Sequence, residues 1–284
     1  MLSVTKRSAS ILNQLITELP EGLVVDSAWL AQRGVSSGLR AYYVKSGWLE
    51  QPVRGVYRRP RGPLSWEQAV ISLQTILGQK KLVVGGRTAL ALEGYEHYLL
   101  DEVATVHLYG PESPPSWILK LELPQRFVFH NSRRLFQEGA ATGAEGVASE
   151  ESGTGATNGL QETSLRTLHW GQWDWPLIIS RPERAILELL DELPGRESFH
   201  QADVIMQGAA TLSPKRLQVL LDRCLSVKVK RLFFFFADRH QHAWLRHLDK
   251  ASVDLGSGKR MLVRGGRLDP DYLITVPKEL YGAS

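Results

Sequence analysis

Residues 26–61, DSAWLAQRGVSSGLRAYYVKSGWLEQPVRGVYRRPR, decide how the chain is read. Asp26 or Ser27 can cap a helix that runs through Gln32 and turns Trp29 and Leu30 inward. Gly34 makes a turn, and Ser36 or Ser37 can cap a second helix that ends at Ser46-Gly47. Trp48-Leu49 and Gly55-Val56-Tyr57 then read as two short strands around a turn containing Pro52. Upstream, Ile11, Leu12, Leu15, Ile16 and Leu19 recur at helical spacing before Pro20-Glu21-Gly22 stops the pattern. Three short helices followed by a strand pair predict a winged helix-turn-helix over residues 1–64.

In such a unit the second helix of the turn enters the major groove. Here that helix is Ser36–Ser46. Val35, Leu39, Tyr43 and Val44 are its inward candidates, which leaves Ser36, Ser37, Arg40, Ala41 and Lys45 outward. Arg40 can offer a fork to guanine, and the two serines can meet phosphate or base. Gly38 lowers helix propensity by roughly 1 kcal/mol relative to Ala; close approach to a DNA backbone would account for it. The predicted wing carries Arg54, Arg58, Arg59 and Arg61, a density suited to phosphate contacts. Residues 1–64 hold nine Lys/Arg against four Asp/Glu, a balance that favours a polyanionic partner. The competing reading is a helical protein-interaction module with a solvated basic face.

Residues 65–284 read as a larger domain of mixed α and β, making the whole α+β. A capping box at Ser65 and Gln68 starts a helix bearing Trp66, Ala69, Val70, Leu73 and Leu77. Strands are expected at Lys81–Val84, Val103–Leu108 and Phe127–His130, with a helix at Arg87–Glu93. Gln137–Thr163 has no aromatic and no basic residue, so a disordered acidic loop is predicted there. Leu165–Leu168 and Trp170–Ile179 return to strand formers. Pro182 and Pro214 each sit at a helix start. Leu232 to Phe236 is apolar all round, which suits a buried strand or a buried helix; the rhythm continuing to Leu245 favours the helix. Met261–Val263 and Tyr272–Val276 are expected to form a hairpin or small sheet. Residues 214–267 carry thirteen Lys/Arg against four Asp/Glu, and 65–213 eleven against nineteen. The basic regions thus flank an acidic middle.

Several classes find no support. The longest apolar runs are far short of a membrane span, and no apolar leader follows Lys6 and Arg7, so no signal peptide is expected. A single cysteine, Cys224, forbids an intrachain disulfide and suits a cytoplasmic protein. Gly256-Ser257-Gly258-Lys259-Arg260 lacks the spacing, the Lys-Ser/Thr pair and the following helix of a phosphate loop, and reads as a basic turn. His240, His242 and His247 lack the spacing of adjacent metal ligands. Neither a nucleophile elbow nor a convincing carboxylate pair appears. No enzymatic activity, metal or cofactor is therefore expected.

The stretch "DSAWLAQRGVSSGLRAYYVKSGWLEQPVRGVYRRP" with the following "LSWEQAV" resembles the N-terminal domain of AbiEi-type transcriptional regulators. Residues 226–277, "SVKVKRLFFFFADRHQHAWLRHLDKASVDLGSGKRMLVRGGRLDPDYLITVP", resemble that family's antitoxin domain. "VVGGRTALALEGYEHYL" and "SRPERAILELLDELP" are similar to segments in the same order between them. The resemblance covers nearly the whole chain except the acidic loop. It implies an antitoxin that binds inverted repeats in its own promoter and opposes a nucleotidyltransferase toxin, either directly or through the toxin's target. Carried over by position, Ser36, Ser37, Arg40, Lys45, Arg54, Arg58, Arg59 and Arg61 fall on DNA-facing sites. Lys228, Lys230, Arg231, Lys259, Arg260, Arg264 and Arg267 fall in the antitoxin domain, where they would contact the toxin or extend the DNA footprint. The alternative is a stand-alone winged-helix transcription factor whose larger domain senses a ligand; a nuclease has no residues to carry it.

Overall fold

Local capping chemistry sets out residues 11–58. The computed structural model describes residues 11–95, 104–137 and 164–281. Helix α1 occupies residues 11–18. Asp26 closes strand β1 (Val24–Asp26), and its carboxylate accepts from the Trp29 amide at 2.8 Å to start α2 (Ser27–Gln32). After Gly34, at φ +77°, the Ser36 hydroxyl caps α3 (Ser37–Lys45) by accepting from the Leu39 amide. Strands β2 (Glu50–Val53) and β3 (Val56–Arg58) pair around Arg54-Gly55, where Gly55 takes a φ of +85°.

The wing departs from expectation in two ways. It has three strands, in the order β1-β3-β2, because Val24–Asp26 also pairs with β3. Three residues between a turn and a cap are too few to show a strand rhythm. Pro52 lies inside β2 rather than in the turn. An edge strand tolerates a residue without an N–H, and the register is irregular between Glu50 and Val53. Leu15, Leu19, Val25, Trp29, Leu30, Val35, Tyr43, Leu49 and Tyr57 close the small core.

The capping box at Ser65 and Gln68 starts α4 (Trp66–Thr75), which joins the two parts. The Ser72 hydroxyl accepts from the Val24 amide at 2.8 Å, and Ile76 and Leu77 pack against both cores. Beyond it lies a five-stranded mixed sheet of order β6-β5-β4-β8-β7. Its strands are β4 (Val83–Val84), β5 (Thr105–Gly110), β6 (Arg126–Asn131), β7 (Leu165–Trp170) and β8 (Trp175–Ser180), with α5 (Gly86–Leu92) following β4. β5–β6 and β4–β8 run parallel; β4–β5 and β7–β8 run antiparallel.

Helices α6 (Pro182–Asp191), α7 (Phe199–Gly208), α8 (Pro214–Arg223) and α9 (Val227–His240) complete the core. α9 is buried over Leu232–Ala237 as its unbroken apolar run requires, but stops at Gln241, at φ +50°, short of Leu245. The closing hairpin is smaller than expected: β9 (Arg267–Leu268) pairs with β10 (Thr275–Val276). Met261–Val263 is irregular; the Leu262 and Val263 amides donate to the Thr275 hydroxyl instead of to a strand partner. The predicted acidic loop lies outside the described residues except for Gln137, whose amide donates to the Arg223 carbonyl. Among the described residues no helix is long and apolar enough to cross a membrane.

Two buried polar groups lock this domain. Glu188 is fully buried and accepts from the Gly86 amide (2.9 Å), the Ser180 hydroxyl (3.1 Å) and Arg184 Nε (2.7 Å). Gly85 is needed for this approach, since a Cβ there would stand 2.2 Å from the Glu188 carboxylate. Nearby, His130 Nδ1 lies 2.9 Å from the Glu192 carboxylate and His130 Nε2 lies 3.0 Å from His107 Nδ1. Burial, then the neighbouring His130, pushes His107 down to about 4. Burial alone would raise Glu192, yet hydrogen bonds and charge from His130 and Arg196 hold it below the usual carboxylate range.

Glu188→Ala leaves the buried Arg184 guanidinium without its carboxylate, and urea denaturation is expected to show a loss of about 3–5 kcal/mol. The His107 shift predicts an acid-side loss. The unfolded ring binds a proton near pH 6.5 and the folded one only near 4. The stability that this site contributes is therefore present above 6.5 and lost as pH falls from there to about 4. Denaturation midpoints measured across that window should fall less steeply for His107→Asn than for the parent.

Candidate nucleic-acid interface

An N-terminal unit that binds DNA must leave one face of α3 uncovered. Ser36, Ser37, Gly38, Ala41, Tyr42 and Lys45 are all exposed, while Tyr43 is buried and Leu39 and Val44 are half-buried against the core. The inward and outward faces read from sequence therefore hold, with Arg40 as the exception. Its Nη1 donates to the Ser27 and Val35 carbonyls, each at 3.2 Å, and its guanidinium lies 6.0 Å from the Tyr57 ring centroid. The side chain ties α3 to the start of α2 rather than extending into solvent. Those carbonyls become available only when α2 and α3 cross, so residue type and spacing do not reveal them.

The four wing arginines also separate. Arg54 is exposed at the tip of the β2–β3 turn. Arg58 is only 5% exposed; it donates to the Glu50 carboxylate at 2.7 Å and to the Gly62 carbonyl. Arg59 donates to the carbonyls of Ile16 (2.9 Å) and Leu19 (3.1 Å) and to Glu21 (3.0 Å). Arg61 pairs with the other Glu21 oxygen at 2.9 Å and lies over the Trp173 ring. The expected outward set is corrected accordingly: Arg58 is an internal strut, Arg59 is engaged at the end of α1, and Arg61 is held between Glu21 and the Trp173 ring. A regular hairpin around Arg54-Gly55 would set Gln51 opposite Arg58; only the irregularity between Glu50 and Val53 brings Glu50 there, and spacing does not reveal it. Glu21, about 40 positions away, left no signal either.

Two exposed aromatics stand where sequence reasoning gave them no role. Tyr42 is 62% exposed on α3, and Trp48 is 48% exposed just beyond it. Both residue types usually find cover.

The C-terminal cations divide in the same way. Lys228 Nζ donates to the Leu193 carbonyl at 3.0 Å and pairs with Asp191 at 3.4 Å. Lys230 is buried on α9. Arg231 is 2% exposed and holds the loop after residue 253 by donating to the carbonyls of Leu255 (2.7 Å) and Gly258 (2.6 Å). Lys230 and Arg231 are thus corrected from contact residues to internal ones, because the buried stretch of α9 begins at Val229, ahead of the Leu232–Phe236 apolar run, and takes both in. Lys259, Arg260, Arg264 and Arg267 are exposed, with Arg267 over the Tyr281 ring at 4.1 Å. The segment after Gly258 continues without a helix, as a basic turn requires.

His240 and His242 are held singly, by Asp203 at 2.8 Å and by the Met206 carbonyl at 2.7 Å. Burial pushes the Cys224 thiol up to about 11, so it is not a ready nucleophile. Among the described residues no cluster of three or more His, Cys, Asp or Glu could hold a metal ion.

Three helices, a three-stranded wing and an uncovered α3 on a larger α/β domain define the class: a winged-helix regulator. The N-terminal domain model of transcriptional regulators that are AbiEi antitoxins matches residues 8–100, and the model of AbiEi antitoxin regulators of type IV toxin–antitoxin systems matches residues 103–277. The chain belongs to the AbiEi antitoxin family of transcriptional regulators, which is not an enzyme family. The crystal structure of the RV2827C protein from Mycobacterium tuberculosis shares this fold. It is 16% identical, with a TM-score of 0.52, over 94% of this chain and 90% of that one. No curated protein matches the chain.

Arg58→Ala and Arg54→Ala should separate cleanly. Losing the charged hydrogen bonds of Arg58 is expected to cost about 2 kcal/mol of stability, seen as a lowered melting temperature. Arg54→Ala should leave melting unchanged and flatten the salt dependence of DNA binding.

Proposed function

We propose that this chain represses its own operon by binding inverted-repeat promoter DNA, and that its larger domain neutralises a nucleotidyltransferase toxin. The single observation that carries the DNA half is the uncovered face of α3, with Ser36, Ser37 and Lys45 exposed and Arg54 at the neighbouring wing tip. Ser36 and Ser37 stand at the helix start, where the backbone N–H groups and the helix dipole favour a phosphate. Lys45 and Arg54 add charge at the other end of the helix and at the wing. A repressor so arranged binds non-specifically through phosphate and selects its site through the groove. Arg40 serves by fixing the angle of α3, and the division of labour falls at residue 64, with 65–284 as the antitoxin part.

The toxin half rests on the family and on one surface. Lys259, Arg260, Arg264 and Arg267 are exposed around Met261, which is 73% exposed. An uncovered thioether among four cations suits an acidic protein surface with an apolar centre better than it suits phosphate alone. The toxin contact we propose is therefore the turn after Gly258. The protein would act in the cytoplasm, beside its operon and its toxin.

Co-expression with the nucleotidyltransferase product of an adjacent gene tests this reading. Growth rescue with co-purification is the expected result, and Lys259→Glu with Arg260→Glu should abolish both while promoter binding survives. Rescue without a complex would sink the direct contact and move the action to the toxin's target. No rescue from an intact promoter binder would remove the antitoxin role and favour a ligand-sensing regulator.

A further inference from the structure

Gly38 has no internal reason to be glycine. It is the second residue of α3, its φ lies outside the left-handed region, and a Cβ built on it would meet nothing within 4 Å. A glycine in a helix sacrifices propensity, and alanine would fit this position without strain. The residue is therefore unexplained by the chain's own packing. Such a position suits the close approach of another molecule.

The same stripe carries a second observation. Gly38, Ala41, Tyr42 and Lys45 stand at i, i+3, i+4 and i+7, so they share one face, and all four are exposed. Tyr42 is the large group in that stripe, at 62% exposure, and no hydrogen bond is formed by its hydroxyl among the described residues. Arg40 is turned away to the Ser27 and Val35 carbonyls. The face left to meet DNA thus holds small residues, one aromatic and one cation.

We propose that Gly38 and Ala41 let the backbone of α3 approach DNA closely, and that Tyr42 is a specificity-determining residue that packs its ring on a thymine C5-methyl group in the major groove. Thymine is the base that offers an apolar group there. A face poor in cations but bearing an exposed ring discriminates by that group rather than by a guanidinium fork. This deepens the promoter-binding reading and rests on it.

The test uses the full chain and two duplexes: the DNA upstream of its own gene, and a duplex of equal length and composition in shuffled order. Binding is measured by fluorescence anisotropy at one salt concentration, beside thermal melting. Gly38→Ala is expected to melt no lower than the parent while losing about tenfold in affinity for the upstream duplex. Tyr42→Ala should keep its melting temperature and lose about tenfold of the preference for upstream over shuffled DNA. Tyr42→Phe should retain that preference. Replacing thymine by uracil in the upstream duplex should weaken the parent and leave Tyr42→Ala unaffected. A Gly38→Ala protein that melts lower, or that binds as the parent does, overturns the close approach. A Tyr42→Ala protein that still discriminates, or still responds to uracil, overturns the methyl contact. If the parent itself shows no preference between the duplexes, the promoter reading falls and takes this inference with it.

Discussion

A charge taken out of water must find its partners nearby, and that constraint organises this molecule more than any single apolar contact. Glu188 shows it most clearly. Its carboxylate has donors from β8, from α6 and from the start of α5, so three elements are fixed at one point. The approach is possible because Gly85 carries no Cβ. An apolar residue of similar size could fill the volume, but it would leave Arg184 without its carboxylate and the Gly86 amide without its acceptor.

The same constraint shapes the N-terminal domain from outside the core. Glu21 and Glu50 draw Arg58, Arg59 and Arg61 onto the protein surface or into it. Backbone carbonyls at a helix crossing do the same for Arg40. Among the described residues of this segment, whose net charge by count is +5, the exposed cations at α3 and the wing tip are Lys45 and Arg54. Net charge still sets the long-range attraction to a polyanion. On the uncovered face of α3 itself stand hydroxyls, small residues, one lysine and one tyrosine. In the larger domain Arg231 follows the same logic, spending its guanidinium on the carbonyls of a loop that has little regular structure of its own.

The elements most easily read were those with a local signature. Asp26, Ser36 and Ser65 cap the helices they were expected to cap, because a short oxygen-bearing side chain next to free N–H groups needs no distant help. The burial of α9 followed from an apolar run too long to be left in solvent, though that run alone suited a buried strand as well as a helix. The pairings that were missed depend on distant partners. β1 is three residues long and exists as a strand only because β3 lies beside it. Met261–Val263 has strand-forming residues, yet the Thr275 hydroxyl takes the amides that a neighbouring strand would have used.

By itself the sequence determined the winged helix, its α3, the α/β character of the rest and the family, since capping residues, apolar periodicity and ordered motifs are properties of neighbouring positions. Tertiary structure alone decided which cations remain available. An arginine's reach is several ångströms in any direction, so its fate depends on carboxylates and carbonyls that only folding brings close. It also decided that Gly38 faces open space and that Tyr42, beside a buried Tyr43, stays uncovered. Helical spacing already set Tyr43 inward, but whether another element covers the opposite face is decided only when the chain folds.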